Sequence, residues 1–243
     1  MTAALSIASY NIHKARGLDR RTDLARIAAV LQEIDADLIG IQEIYRDQVT
    51  ELADRLGMHG IPGVTHLRAE GAYGNAILTR LPVRRHHVFD LTWARREPRG
   101  GVRVDVLVDE TELHLFNVHF GLRIRERAEQ VELLVREHVL HDELSGHRVV
   151  MGDLNEWFPG AVGRTLRRQL QGPRIRRTHP APLPIFALDR IYWDHALLGR
   201  FHVHRSRLAR IASDHLPIVV RLQLPAPAGL LPAPAAQRPA PVA

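Results

Sequence analysis

The residues best equipped for chemistry in this sequence stand where apolar runs stop. The stretch RVVMGDLNEW, Arg148 to Trp157, reads as a buried strand that closes on Asp153 and Asn155, two positions apart. Asn11 and His13 close SYNIH, Glu43 closes ADLIGIQEI, and Asn117 and His119 close ELHLFNVHF. Asp189 and Arg190 open DRIYW, while Ser213, Asp214 and His215 precede the last apolar run. Side chains alternate along a strand, so the members of each two-apart pair are expected to face one way. Taken singly, each has a plain explanation, since Asp and Asn form turns and a lone histidine is usually structural. Taken together, they place carboxylates, amides and imidazoles at many strand ends. Burying such groups without partners costs on the order of several kcal/mol each. One hydrated cation and one bound phosphate would satisfy them all.

The donor types select the cation. Carboxylate and amide oxygens, in a chain without cysteine, suit a hard ion. Mg²⁺ takes one or two carboxylates and keeps several waters, and Mn²⁺ is its natural substitute. Glu43 is the leading ligand. Histidines and asparagines would then hold phosphate oxygens while a carboxylate orients an attacking water. Zinc ranks below magnesium despite 15 histidines. There is no HExxH, and His202 and His204 have no acid beside them in sequence.

These ends must be positioned by a layered framework. Leu5–His13 and ADLIGIQEI read as strands, the second buried on both faces. Between them Leu24, Ile27, Leu31 and Ile34 follow helical spacing, with Thr22 as the expected N-cap. RDQVTELADRLG is a short helix closed by Gly57. YGNAILTRLPV is a strand entering a turn at Pro82. GVRVDVLVD and ELHLFNVHF form a hairpin turning at Asp109–Thr111, with Val102, Val104, Val106 and Val108 on one face. A helix follows with Ala128, Val131, Leu134 or Val135, and His138 on one stripe. A short helix lies near Gly160–Leu170, and strands follow at DRIYWDHAL, HVHRSRL and HLPIVVRLQL. Such alternation of helices and hairpins implies mixed sheets covered by helices. Tyr10-Asn11-Ile12-His13 and Phe116-Asn117-Val118-His119 echo one another, as two strand ends meeting across a pseudo-twofold would.

At 243 residues and 45% hydrophobic, the chain supports one sizeable domain, 1–224. The Pro/Ala-rich remainder, 225–243, is expected to be a disordered tail. No apolar run is long enough for a transmembrane helix, and the N-terminus lacks the pattern of a signal peptide. A cytoplasmic protein is the expectation. The formal charge of +6 favours phosphate-rich partners. However, Lys14 is the only lysine among 33 basic residues, and that bias reads as genome composition. Most of the arginines read as a solvated surface.

The blocks SYNIHKARG, LIGIQEI, GNAILTRLP, PRGGVRVDV, FNVHFGL, VVMGDLNEW, LDRIYW and SDHLPIVV resemble, in order, those of the endonuclease/exonuclease/phosphatase superfamily. The resemblance spans residues 5–223 and is closest to the small bacterial branch. It implies an α/β (α+β) four-layer α/β/β/α sandwich, deoxyribonuclease-I-like, with two mixed β-sheets packed face to face. It also implies hydrolysis of phosphate esters with a divalent metal. By the same resemblance, Glu43 is the main metal ligand, Asn11 supports the metal shell and Asp214 lies near the metal. Asp153 and Asn155 orient the water and hold the scissile phosphate. His215 binds the phosphoryl oxygen, and Asp189 fixes the tautomer and charge of His215. His119 is the acid for the leaving oxygen, assisted by Asn117, and Arg99 contacts phosphate. Repair endonucleases of the superfamily carry an acid where this chain has His13. A histidine there binds metal as neutral imidazole or contacts phosphate.

Three partners compete within this reading. A small phosphoester needs nothing more. A nucleic acid would use Arg95, Arg96 and Arg99 beside Trp93, together with Arg123, Arg125 and Arg127. A lipid headgroup at a membrane surface would use Leu183, Ile185 and Phe186 in the apolar loop before Asp189. A non-catalytic binding protein on the same fold is disfavoured, because Glu43, Asp153, Asn155, Asp214 and His215 are all present. Oligomeric state is not encoded in any of these patterns.

Overall fold

The computed structural model describes residues 4–141 and 144–225. Strand β1 (Ala4–Asn11) runs parallel to β2 (Leu38–Tyr45), and helix α1 (Leu24–Ile34) connects them. Helix α2 (Arg46–Leu56) leads into the antiparallel pair β3 (His59–Arg68) and β4 (Gly71–Thr79). Strands β5 (Val83–Asp90), β6 (Gly100–Val108) and β7 (Thr111–His119) form an antiparallel meander. A second strand–helix–strand unit follows, in which α3 (Ile124–Leu134) links β7 to the parallel β8 (His147–Asp153). The chain then runs through α4 (Ala161–Gln169), β9 (Asp189–Trp193), β10 (Leu198–Val203), α5 (Ala209–Ala212) and β11 (Ile218–Gln223). One mixed sheet has the order β10-β11-β1-β2-β4-β3 and the other β5-β6-β7-β8-β9.

Strand periodicity sorts the apolar residues into three cores and so into four layers. In β1, Leu5 and Ile7 face the opposite sheet, while Ala8 and Tyr10, with Ile12 just beyond the strand, pack with Ile27 and Leu31 of α1. In β7, Leu113 and Leu115 face the opposite sheet, while Phe116 and Val118 pack with Val131 and Leu134 of α3. The hairpin valines Val102, Val104 and Val106 are fully buried between the sheets, and Val108 is only partly covered at its end. The expected sandwich is the observed one.

Local signals held where one residue dictates geometry. Gly57 ends α2 in the left-handed conformation, at φ 61°, as the C-terminal glycine requires. The cap of α1 falls one residue later than expected. Asp23 accepts the Arg26 amide hydrogen at 3.0 Å, because Thr22 is paired with Arg16 in a short bridge. After Leu134 a π-helical turn, Val135–Val139, rotates the stripe and buries Val139 in place of His138. Of the Pro/Ala-rich tail, only Pro225 lies within the described residues.

Candidate active site

The polar strand ends gather at one edge of the layer between the sheets. Asn11 shares a strand face with Leu5 and Ile7, Asp153 with Val149 and Met151, and Asp189 with Ile191 and Trp193. Each therefore continues the inter-sheet face past the point where apolar side chains end. Glu43 has the wrong parity for that face and arrives by a different device. The pairing of β2 with β4 shifts register between Gln42 and Ile44, and Glu43 occupies the extra position with φ 57°. A bulge of this kind re-aims one side chain while the strand continues. Gly152 precedes Asp153 at φ 143°, and a Cβ there would sit 1.9 Å from the Val118 carbonyl oxygen. Only glycine lets β8 approach β7 closely enough to place Asp153.

Asn11 joins the two acidic centres, its amide nitrogen donating to Glu43 Oε1 at 3.2 Å and to Asp153 Oδ2 at 3.0 Å. The Asn155 amide hydrogen holds Asp153 Oδ1 at 2.9 Å. Two imidazoles flank Asp153 Oδ2, His119 Nε2 at 3.6 Å and His215 Nε2 at 3.8 Å. His215 Nδ1 meets Asp189 Oδ2 at 2.9 Å, and the Thr178 hydroxyl donates to the same oxygen at 2.5 Å. These contacts set different charge states on the two rings. Burial works against a charged His215, but Asp189, Asp153 and Asp214 outweigh it and raise the ring to about 10. Burial and the Arg99 guanidinium push His119 down to about 4. Burial would raise the Glu43 carboxyl, yet the His119 ring, the Asn11 amide, Lys14 and His13 hold it at about 2. At neutral pH the site thus holds an ionised Glu43, an imidazolium at His215 and a neutral His119.

These groups face a cleft of about 320 Å³. Glu43, Arg99, His119, Asp153, Asn155 and His215 line it, and Asn11 and Asp189 hold them from beneath. Several lining residues carried no strand-end signal: Lys14, Arg68, Tyr73, Trp157 and His179. Lys14 Nζ is 3.7 Å from Glu43 Oε2. Glu97 bridges Arg68 and Arg99 at 2.7 and 2.8 Å, giving the cleft a basic wall. The signals were faint: Lys14 directly follows YNIH, and Tyr73 keeps the strand parity of Asn75.

Several expectations change. Asp153 and Asn155 do meet, but not by strand alternation: β8 ends at Asp153, and Asn155 is in a left-handed turn at φ 49°. His13 likewise leaves the strand, at φ 46° in a 3-10 turn, and stands 3.6 Å from Asp214. Asp214 is half-buried between His13 and His179, the latter at 3.9 Å. Asn117, expected to bind substrate and assist His119, does not line the cleft. It is fully buried between the sheets and donates to the Ile41 and Ala76 carbonyl oxygens, both at 2.8 Å, while Gln42 donates to its Oδ1. Burial and the Arg99 guanidinium disfavour the protonated His119 ring that a general acid would use. Arg127 is buried against the Gly121 and Leu122 carbonyl oxygens and is not a free phosphate contact. An acid does stand beside His204, namely Glu33 of α1 at 2.9 Å, as an ion pair apart from the residues lining the cleft.

The donor set fits a hard divalent cation at Glu43. Its carboxylate is ionised, opens on the cleft and offers about four lone-pair positions, of which Asn11 occupies one. Asn11 Oδ1 accepts the His13 amide hydrogen at 3.0 Å, so its amide is held in place with its nitrogen toward the two carboxylates. Among the described residues, two tighter groupings have the right atom types, His179–Asp214–His215 and Asp153–Asp189–His215. Both include His215, whose Nδ1 is already engaged by Asp189 at 2.9 Å.

A family model described as Endonuclease/Exonuclease/phosphatase family matches residues 8–215. "Uncharacterized protein YbhP" of Escherichia coli (strain K12) is 26% identical over 248 residues, covering 91% of this chain and 97% of the relative. An endonuclease/exonuclease/phosphatase family protein from Bacteroides thetaiotaomicron superposes with a TM-score of 0.79 at 20% identity, covering 93% of this chain and 96% of that one. The mannosyl-6-phosphatase Bt3783 of Bacteroides thetaiotaomicron VPI-5482 gives 0.73 at 20% identity, with 90% and 99% covered. D. rerio TDP2 complexed with single strand DNA product gives 0.72 at 18%, with 90% and 99% covered. With the deoxyribonuclease-I-like sandwich, the strand-end cleft and a family match over most of its length, this chain belongs to the endonuclease/exonuclease/phosphatase family.

Proposed function

We propose that the chain is a divalent-metal-dependent phosphoesterase that cleaves its substrate by in-line attack of water. The observation that carries this reading is the Asn11 amide nitrogen, bonded to both Glu43 and Asp153, with His215 facing the same Asp153 oxygen. In this reading Glu43 is the cation site, Asp153 the water-orienting carboxylate and His215 the positive charge, and all three line one cleft. Glu43 would hold Mg²⁺ or Mn²⁺, with Asn11 supporting it and Asp214 nearby; the ion would supply Lewis-acid polarisation of the phosphoryl group. Asp153 accepts a proton from the attacking water, whose oxygen bonds to phosphorus as the ester P–O bond breaks. The departing oxygen takes up a proton from solvent and leaves as an alcohol, and Asp153 later returns its proton to solvent. Asn155 and the His215 imidazolium hold phosphoryl oxygens and stabilise the charge that grows on them. Asp189 keeps His215 charged and oriented. Arg99, Arg68 and Lys14 supply the basic wall for the rest of the phosphate, and neutral His119 donates or accepts one hydrogen bond.

The test is hydrolysis of bis-(p-nitrophenyl) phosphate by purified protein. Turnover is expected only with added Mg²⁺ or Mn²⁺, to stop with chelator, and to drop by roughly a hundredfold or more in Asp153→Ala. Full activity in excess chelator, or near-normal turnover in Asp153→Ala, would overturn the assignment.

A further inference from the structure

Against the catalytic cleft lies a second and larger pocket, of about 560 Å³. The two share a wall made of Leu122 and Trp157. The loops that form it also carry the site: Leu122 follows His119 by three residues, and Trp157 follows Asn155 by two. Ile124, Phe158, Pro159 and Val162 complete an apolar lining. Much of it faces solvent, with Leu122 62%, Ile124 78%, Trp157 42% and Phe158 75% exposed. Contiguous exposure of this kind beside a catalytic centre marks a binding surface and not a stray apolar residue.

The lining is held firmly. Arg127 and Glu156, both buried, grip the two loops from inside, Arg127 through the Leu122 carbonyl oxygen at 2.5 Å and Glu156 through the Gly163 amide hydrogen at 3.1 Å. These two charged groups are engaged by backbone and Arg164 is the one other charged residue of the lining, so a nucleobase edge placed there would find few partners. An aliphatic group would need none. Phe186 extends the apolar surface, its ring 4.6 Å from that of Trp157. It leads into a loop where Leu183 is 75% and Ile185 52% exposed.

We infer that this pocket is a subsite for an aliphatic group attached to the substrate phosphate, so that the substrate is a phosphate ester of an apolar alcohol. The inference names the substrate class for the phosphoesterase reading and rests on it. The amphiphile would enter phosphate first, with its chain crossing the Leu122–Trp157 wall.

The test has a binding arm and a turnover arm. Affinities of the full chain for methyl phosphate and octyl phosphate are measured by calorimetry. Octyl phosphate is expected to bind at least tenfold more tightly, since each buried methylene is worth up to about fourfold. The advantage should fall below about threefold in the double variant Ile124→Ser, Phe158→Ser, two exposed positions outside the catalytic cleft. In the turnover arm, kcat/KM for octyl p-nitrophenyl phosphate should exceed that for the methyl diester by a similar ratio. Equal affinity for the two phosphates overturns the subsite, and it does so even if both diesters turn over with metal. A tenfold preference that the variant loses, without turnover of either diester, supports the subsite and sinks the catalytic reading instead. A single-stranded oligonucleotide that displaces octyl phosphate, and binds more weakly to the variant, would overturn the inference in favour of base stacking. Sedimentation with phosphatidylglycerol vesicles separates the two sources of an aliphatic phosphate. Wild type pelleting while the variant stays in solution supports a bilayer lipid, and both staying in solution while octyl phosphate binds supports a dispersed molecule.

Discussion

Asn11 and Asn117 hold matching places near the ends of two strands. Each follows an aromatic residue, precedes a β-branched one and lies in the first strand of a parallel strand–helix–strand unit. Each also reaches across to the opposite sheet. Yet Asn11 bonds two ionisable side chains at the mouth of the layer, while Asn117 bonds two backbone carbonyls inside it. Gly40 explains part of the difference, because a Cβ there would come within 3.0 Å of the Asn117 amide oxygen and of its Cγ. The rest is depth, since His119, two residues further along β7, is what reaches the cleft from that strand. The repeated sequence set one amide among ionisable cleft residues and the other among backbone carbonyls because the two units are offset along the layer.

Substitutions that separate function from stability sharpen this comparison. The largest effect is expected on the functional side. His215→Ala should lower kcat/KM by roughly a hundredfold or more while the circular dichroism spectrum is kept, since it removes the charge that meets the transition state. Turnover within a few-fold of wild type would break the contrast at its strongest point. Next, Asn11→Ala should raise the Mg²⁺ concentration for half-maximal activity by about ten- to a hundredfold, the usual consequence of losing a group that orients a ligand. A change in turnover at saturating metal with no change in metal requirement would detach Asn11 from Glu43.

Asp189→Asn probes the charge on His215. The ring is held at about 10, so in wild type the alkaline limb of the rate profile should lie near that pH. Loss of the carboxylate should move the limb to lower pH and cost about tenfold at neutrality. The same ionic contacts contribute stability that is full below the unfolded imidazole pKa, about 6.5, and is lost as pH rises through about 10. An unmoved alkaline limb would remove Asp189 from its role. The smallest catalytic effect belongs to Asn117→Ala. Turnover at low temperature should stay within about threefold, while the orphaned carbonyls cost about 2 kcal/mol and lower Tm by roughly 4–8 °C. A catalytic defect without a fall in Tm would make the two asparagines functional equals.

The framework was legible in sequence wherever one face is buried. The hairpin of β6 and β7 and the β1 and β2 strands announce themselves by alternation or by continuous apolar runs. Strands β3 and β5 do not. They are edge strands; β3 carries Gly60, Pro62 and Gly63, and most of β5 is exposed, so neither writes a hydrophobic pattern. The site was legible in residue type at Glu43, Asp153, Asp189 and His215. Its geometry was not. Alternation was expected to aim the paired residues, but a bulge aims Glu43 and left-handed turns aim His13 and Asn155, and these conformations leave little trace in side-chain chemistry. Residues that approach from other segments, such as Tyr73 and His179, acquire meaning only once the sheets face each other.

Beneath the cleft, Ser9, Gln42 and Asn117 are wholly inaccessible to solvent and are linked amide to hydroxyl and amide to amide. They act as a gasket, with water and phosphate chemistry above and hydrocarbon below. Residues above this seal can change with little effect on the packing that keeps the sheets together. A scaffold sealed in this way lets selection rework the substrate while folding stays intact.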